Sequence, residues 1–378
     1  MTEKIDVLLV EDSDYDVAIL TARLRSDGRF EVTSVPTLNK AMGKLKNGSH
    51  DVILMDLNLP DSSGLDTFIQ LNTAFPDLPV VILTGDDDHD KAMKAVAAGA
   101  QDYVPKTEGD IRILSRSLLY ASERNARSVI QKRQNVIDND LAVARRIQQH
   151  LLPQQCPDIP GFETAAMCRP VEACGGDFYD FIPHQDCWDL VIADVSGHGF
   201  APAMIMAQTQ TLLRALAGRI EDVGELVTAV NQEICRDTPE GHFISMFYAR
   251  LNPATCTLTY SIAGHPATIY RADGQILQLQ EGGPVLGVFD DHAYLKDGET
   301  VLHPGDRLLI TTDGIPETMS PNRQLFGQEQ IHAQLQQQHS TSLETIQNVI
   351  EAAIQFAAPS AVQDDMTIMM LNCLRGNS

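Results

Sequence analysis

The chain is poor in the features of a secreted or membrane protein. Cysteine is scarce and unpaired: seven residues in 378, spread from Cys156 to Cys373, with no CxxC pair. An odd, scattered set excludes a disulfide framework and suits a reducing cytosol. Cys168, Cys174 and Cys187 lie near His184, but their spacing matches no zinc pattern with a mechanism. No apolar run approaches the roughly 18 residues that span a bilayer. The first residues, MTEKIDV, lead directly into a strand without a signal-peptide pattern. The expectation is a cytoplasmic chain with no membrane partner. Bases are also few: 28 Lys and Arg stand against 51 Asp and Glu, a formal net charge of -23. Nucleic-acid binding requires clustered cations on phosphates. No basic helix-turn-helix follows the first domain, so a DNA-binding regulator is set aside. The length predicts two or three domains.

Residues 1 to about 122 alternate strand and helix patterns. Strands are predicted at Ile5 to Val10, Val32 to Val35, Val52 to Met55, Val80 to Leu83 and Asp102 to Val104. Helical stretches fall at 14–26, 37–47, 64–73 and 89–98. Alternating βα units predict a parallel sheet covered on both faces. The site of such a sheet forms at the carboxyl ends of its strands. Glu11 and Asp12 follow the first strand, Asp56 the third, Thr84 the fourth and Lys106 the fifth, with Tyr103 just before it. Three carboxylates and one Lys make a small divalent-cation site with a charge clamp. An aspartate beside magnesium can attack a phosphoryl group and hold it as an acyl phosphate. The run Asp86, Asp87 and Asp88 reads as a solvated loop.

This stretch resembles a two-component receiver domain, a flavodoxin-like doubly wound α/β fold. The resemblance rests on VEDSD at 10–14, LMDLNLP at 54–60, LTGD at 83–86 and DYVPK at 102–106. It implies Asp56 as phosphoacceptor, Glu11 and Asp12 with Asp56 as Mg2+ ligands, Lys106 as phosphate contact, and Thr84 with Tyr103 as the switch pair. It also implies a sensor histidine kinase as partner.

A connector at about 107–152 has no Pro or Gly from residue 111 to 152. Apolar residues recur at Ile111, Leu114, Leu118 and Ala121, and again at Ile137, Leu141, Ala144 and Leu151. That spacing predicts an amphipathic helix. It suits either a helix packed on its own domains or a parallel coil that pairs two copies, with Asn125 in the seam setting register. The stretch RRIQQHLLP at 145–153 marks the boundary.

From about 153 to 378, strands are predicted at 189–193, 243–251, 257–263, 268–271, 275–279, 308–312 and 366–371. Helices are predicted at 201–217, 222–235, 327–337 and 342–357. This predicts an α+β sandwich of antiparallel sheets covered by helices. Five aspartates sit at or beside strand ends in four motifs: Asp177 in CGGDFYD, Asp194 in ADVSGHG, Asp313 in TTDG, and Asp364 and Asp365 in QDDMT. Carboxylates on strand ends can converge although distant in sequence. Hard cations want oxygen ligands, and two cations sharing one carboxylate activate water for phosphoester hydrolysis. Glycines at 175–176, 197 and 314 permit close backbone approach.

These motifs, with FISMFY at 243–248 and AGHP at 263–266, resemble the metal-dependent protein phosphatases of the protein phosphatase 2C superfamily, in the bacterial stress-response and sporulation branch. The resemblance implies two Mn2+ or Mg2+ ions. Asp194 would bridge them with the Val195 carbonyl beside it. Asp177 would bind one ion, and Asp313 and Asp364 the other. Asp365 is counted with Asp364 among the metal ligands, its other reading being a place behind them, and Asp180 would stand behind the ligands. His198, a candidate general acid, is not given that role, and His265 reads as structural. Arg169 is a weak candidate for the phosphate-binding cation of the eukaryotic enzymes. The whole reads as a response regulator whose output is a serine/threonine phosphatase, acting on a phosphoserine-bearing anti-sigma-factor antagonist, as a homodimer. The alternative is an adaptor that binds a sigma factor and presents it for proteolysis. Such adaptors resemble this layout but have lost the metal acids, and all four of Asp177, Asp194, Asp313 and Asp364 are present here.

Overall fold

The structure is a computed structural model that describes residues 4–48, 50–85, 89–106, 111–238, 241–294, 297–337 and 340–374. Asp86, Asp87 and Asp88 lie outside the described residues. By internal contacts the chain divides into two units, Met1–Asp138 and Asn139–Ser378. Among the described residues no helix is long and apolar enough to cross a membrane.

The first unit alternates β1 (Ile5–Val10), α1 (Asp14–Asp27), β2 (Phe30–Val35), α2 (Leu38–Asn47), β3 (Val52–Asp56), α3 (Leu65–Ala74), β4 (Val80–Thr84), α4 (His89–Ala97) and β5 (Asp102–Pro105). The strands form one parallel sheet in the order β2-β1-β3-β4-β5. Both faces are covered because the central strands are apolar on both sides. Leu8, Val10, Ile53, Met55 and Ile82 pack toward Leu38, Ala41, Phe68, Leu71, Ala92 and Ala95. Val7, Leu9, Leu54, Val81 and Leu83 pack toward Leu20 and Leu24 of α1 and toward Leu114, Leu118 and Ala121. The last three begin α5 (Ile111–Leu151), a single helix of 41 residues. The first half of the predicted seam is therefore receiver core, and in the second half Ile137 is exposed while Leu141, Ala144 and Leu151 are half-buried. Strand order reverses between β1 and β3, which opens a crevice at their carboxyl ends.

The second unit holds two sheets, antiparallel throughout except where the two-residue strand Gly282–Gly283 pairs parallel with Thr257–Ala263 in the first. One runs β7 (Phe178–His184), β8 (Cys187–Val195), β9 (Ile244–Asn252), β10 (Thr257–Ala263). The other is built from β6 (Phe162–Arg169), β11 (Ala267–Tyr270), β12 (Ile276–Leu279), β14 (Arg307–Thr311) and β15 (Met366–Cys373), with β13 (Gly298–Val301) pairing on β10 of the first sheet. Its order is β12-β11-β14-β15-β6. Side chains alternate across each strand. Leu190 and Ile192 face Leu308, Ile310, Met369 and Leu371 between the sheets. Val191, Ala193 and Val195 face α6 (Phe200–Ala217) and α7 (Val223–Asp237) through Met206, Leu213, Leu226, Val227 and Val230. Leu309, Ile368 and Met370 face α8 (Gly327–Leu335) and α9 (Ser342–Ala357) through Ile331, Ile346, Val349 and Ile350. The result is the expected sandwich of two sheets between two helical layers.

Candidate functional sites

In the first unit, parallel strands deliver the predicted acids to one edge. Glu11 follows β1 and is buried, Asp12 is exposed, and Asp56 ends β3 and is buried. Their carboxylate oxygens lie within 4.8 Å of one another. Lys106 follows β5, and its Nζ stands 2.7 Å from Asp56 Oδ2 and 2.6 Å from Glu11 Oε2. Asp16 Oδ2, at 3.4 Å from the same Nζ, was not singled out in the sequence. Its signal was its place one turn into the helix that Ser13 caps. Burial opposes the Lys106 ammonium, but the hydrogen bonds to Asp56 and Glu11 outweigh it and its pKa rises. Burial pushes the Glu11 carboxyl up, against the pull of Lys106. Thr84 is buried at the end of β4, and its carbonyl accepts from the Lys106 N–H at 2.8 Å. Tyr103 is half-buried on the neighbouring strand, opposite Ile82.

In the second unit, antiparallel pairing brings five acids to one end of the sandwich. Phe178 pairs with Ala193, so Asp177 and Asp194 are neighbours on the first sheet. Thr311 pairs with Ile368, so Asp313, Asp364 and Asp365 gather at the adjoining end of the second. Thr312 Oγ1 donates to Asp177 Oδ2 at 2.7 Å and ties the sheets together. The acids raise one another's pKa. Burial, then Asp194, pushes Asp177 well above the carboxylate range. Burial, then Asp313 and Asp364, pushes Asp194 up to about 7. Asp313 rises through desolvation, then through Asp364 and Glu317. A set of oxygen donors that oppose each other's charge fits hard divalent cations. Among the described residues only Glu11, Asp12 and Asp56 bring three such atoms within 4.8 Å. The acids of the second unit form the wider cluster.

Asp365 borders the cluster and raises Asp177 and Asp194 as well, while the other predicted residues fall outside it. Asp365 is buried, and its two oxygens accept from the Val171 N–H at 2.8 Å and the Gly176 N–H at 2.9 Å. Burial raises its pKa, although these hydrogen bonds pull the other way. Asp180 is buried and holds Arg214 at 2.6 and 3.0 Å. His198 is exposed and pairs with Glu172 at 2.7 Å. His265 is buried, shares a hydrogen bond of 2.8 Å with Ser245 Oγ, and burial lowers its pKa to about 4. Two clefts flank the cluster. Asp364 and Gly314 line one of about 600 Å³ with Arg323. Arg169 lines the other, about 320 Å³, with Val171 and Met366. Sequence reasoning missed Arg323. Its left-handed backbone, with φ 61°, is uncommon for a non-glycine residue and has no signature in residue order.

Two family models match separate parts of the chain. Residues 184–374 match the family model of stage II sporulation protein E, and residues 7–117 match that of the response regulator receiver domain. The protein IcfG of Synechocystis sp. is 26% identical over 327 residues, which are 77% of this chain and 50% of IcfG. The phosphoserine phosphatase RsbU of Bacillus subtilis is 25% identical over 263 residues, 68% of this chain and 76% of RsbU. The chain therefore spans half of one of these relatives and three quarters of the other. The SiaA-PP2C domain of Pseudomonas aeruginosa shares the fold of the second unit, with a TM-score of 0.55 at 19% identity, covering 63% of this chain and 98% of that domain.

Proposed function

Because this chain belongs to the stage II sporulation protein E family and carries a receiver domain, we propose that it is a response regulator whose phosphorylation at Asp56 controls a metal-dependent protein serine/threonine phosphatase. One observation supports the reading most: Asp177, Asp194, Asp313 and Asp364 share one electrostatically coupled cluster beside an open cleft. Two Mn2+ or Mg2+ ions bound there would supply the charge that acidifies water and neutralises phosphoryl oxygens. Asp177, Asp194, the Val195 carbonyl, Asp313, Asp364 and Asp365 would hold these ions, and the Asp365 carboxylate also accepts from the Val171 and Gly176 N–H groups. The likeness to the phosphoserine phosphatase RsbU points to a phosphoserine protein as substrate, and an anti-sigma-factor antagonist is the substrate we put forward.

In the receiver, Glu11, Asp12 and Asp56 would hold one Mg2+. The Asp56 carboxylate takes the phosphoryl group from a sensor histidine kinase. Lys106 is already 2.7 Å from that carboxylate and neutralises the charge that arrives. Thr84 donates to the new oxygens, and Tyr103 follows it as the switch. Phosphorylation then biases a two-state element. The exposed half of α5 serves as that element in a homodimer, and the protein works in the cytoplasm.

The test is Mn2+-dependent hydrolysis of an aryl phosphate by the full chain, with and without a small-molecule phosphodonor. Turnover that changes with the donor supports a gated phosphatase. A folded protein that is inactive in both conditions sinks the reading and favours the adaptor.

A further inference from the structure

A hairpin grows directly out of the Asp313 turn and carries a base at its tip. The Glu317 N–H donates to the Asp313 carbonyl at 2.8 Å, and Thr318 Oγ1 donates to the Gly314 carbonyl at 2.6 Å. Gly314 in turn lies against the other acid segment, since a Cβ there would stand 1.9 Å from the Asp365 carbonyl oxygen. From this root, residues 318–326 double back. The Phe326 N–H donates to the Thr318 carbonyl at 2.8 Å, and Met319 pairs with Leu325 across the hairpin. The turn closes with the Arg323 N–H on the Ser320 carbonyl at 2.9 Å, with Pro321 in its second position. The same backbone that carries Asp313 therefore sets the place of Arg323.

Arg323 occupies a conformation that suits glycine. Its φ of 61° is left-handed, and a hairpin turn that ends in this conformation ordinarily ends in glycine. Non-glycine residues held there against their backbone preference cluster at ligand clamps and active sites. The cleft that Arg323 lines, about 600 Å³, has Met319 and Ser320 on the hairpin side and the stretch 360–364 on the other. That volume is in the range of clefts that take a ligand. Among the described residues that line it, Glu317 and Asp364 are the acids, and Arg323 is the base.

Other bases of this unit are spent elsewhere. Arg214, Arg236, Arg250 and Arg271 pair with Asp180, Glu233, Asp189 and Asp306. Arg307 donates to the Leu335 carbonyl. Acids far outnumber bases from 153 to 378, a balance that repels an acidic peptide. One unpaired base at the tip of an otherwise acidic cleft reverses that preference locally, and charge of that kind discriminates between partners.

We propose that Arg323 is a specificity-determining residue that binds a carboxylate of the substrate close to its phosphoserine. This deepens the reading above and rests on its metal-site assignment. With the phosphoryl group at the acid cluster, the polypeptide beside the phosphoserine runs along the hairpin cleft, past Asp364 and Glu317. An Asp or Glu side chain there meets a planar guanidinium that matches a carboxylate with two parallel hydrogen bonds. A Lys or Arg side chain meets like charge. The substrate class is a phosphoserine segment flanked by acidic residues.

The test offers the full chain, with Mn2+, three phosphoserine peptides that differ only in the flanking residues: Asp, Asn or Lys. The parent should favour the Asp peptide in kcat/KM. Arg323→Gly relieves the backbone, so its melting temperature should equal or exceed the parent's. Its KM for the Asp peptide should rise about five- to tenfold while kcat stays within about twofold. Arg323→Glu should reverse the order and favour the Lys peptide. Arg323→Lys keeps the charge and should retain part of the preference. Arg219→Ala, at a base that lines neither cleft, should change nothing. A parent with no preference for the Asp peptide overturns the proposal. So does a loss in Arg323→Gly that is equal for all three peptides and for aryl phosphate, which would put Arg323 on the phosphoryl group or in the fold. If the parent hydrolyses none of these compounds, the phosphatase reading falls, and calorimetric binding of the same peptides decides. Tighter binding of the Asp peptide that Arg323→Gly abolishes keeps Arg323 as the carboxylate-binding residue, and equal binding of all three overturns it.

Discussion

Thr312 donates its hydroxyl to Asp177 at 2.7 Å and accepts from the Thr367 N–H at 2.9 Å, so one side chain ties an acid of the first sheet to a strand end of the second. Both residues are buried. Hydrogen bonds to charged groups contribute about 1.5–3 kcal/mol, and a buried acceptor left unsatisfied costs a similar amount. Thr312→Val keeps the shape and removes the donor. It should lower the unfolding free energy by about 1.5–3 kcal/mol in denaturant titration and weaken Mn2+ binding. Thr312→Ser should retain most of both. A Val variant as stable as the parent would mean that the bond contributes nothing.

The acid cluster predicts a trade of stability against function. The Asp194 carboxyl titrates at about 7 when folded, against an ordinary value of 3.8. Between those limits the folded state binds the proton more tightly than the unfolded state, so its stability falls as pH rises. Asp194→Asn removes the charge. In chelator, its melting temperature should exceed that of the parent at pH 8, and the difference should shrink toward pH 5. On an Asp12→Asn background, which weakens the receiver's own cation site, added Mn2+ should stabilise the parent and leave the Asp194→Asn variant nearly unmoved. A pH-independent difference would refute the electrostatic account.

Much of this was legible because the sandwich alternates. Leu190 and Ile192 point one way while Val191 and Ala193 point the other, a period of two that marks a strand from residue order alone. The acids announced themselves as aspartates at strand ends, two of them, Asp177 and Asp313, beside glycine. The strands Phe162–Arg169 and Phe178–His184 did not. The first carries Ala165 and Ala166 among polar residues, too small for a hydrophobic signal. The second is buried along nearly its whole length, so no polar face alternates. Long-range partnerships were also out of reach: Gln148 meets Gly175 across 27 residues, and Asp365 meets Gly176 across 189. The helical seam left its partner open, because period 3–4 records that a face is covered and not by what. Leu114 and Leu118 turned out to face the receiver core.

Lys106 balances two buried acids at once, Glu11 and Asp56. Removing one partner of a buried ion pair costs about 3–5 kcal/mol, because the other charge stays uncompensated. Lys106→Ala should therefore destabilise the receiver on that scale, and millimolar Mg2+ should restore much of it by replacing the lost charge. Asp56→Ala should leave basal hydrolysis unchanged and abolish its response to phosphodonor. Melting curves with and without Mg2+ test the first expectation. A phosphodonor response surviving in Asp56→Ala would show that the receiver is not the switch.

The exposed half of α5 carries apolar side chains in heptad register. Ile130 and Ile137 are seven apart, as are Val136 and Val143, and all four are 45–67% exposed. Exposed isoleucines repeating at seven describe a seam for a second helix. In a two-fold dimer each substitution acts twice. Burying one isoleucine contributes about 1.5–3 kcal/mol, so Ile137→Glu loses at least about 3 kcal/mol from the pair. The dimer dissociation constant should rise at least a hundredfold on that arithmetic. Sedimentation equilibrium measures it. Leu118→Glu is not an equivalent probe, since Leu118 is fully buried in the receiver core and its replacement unfolds that unit. A parent that stays monomeric at every concentration, or an Ile137→Glu variant that dimerises as tightly, leaves α5 a connector within one chain and moves the switch to another surface.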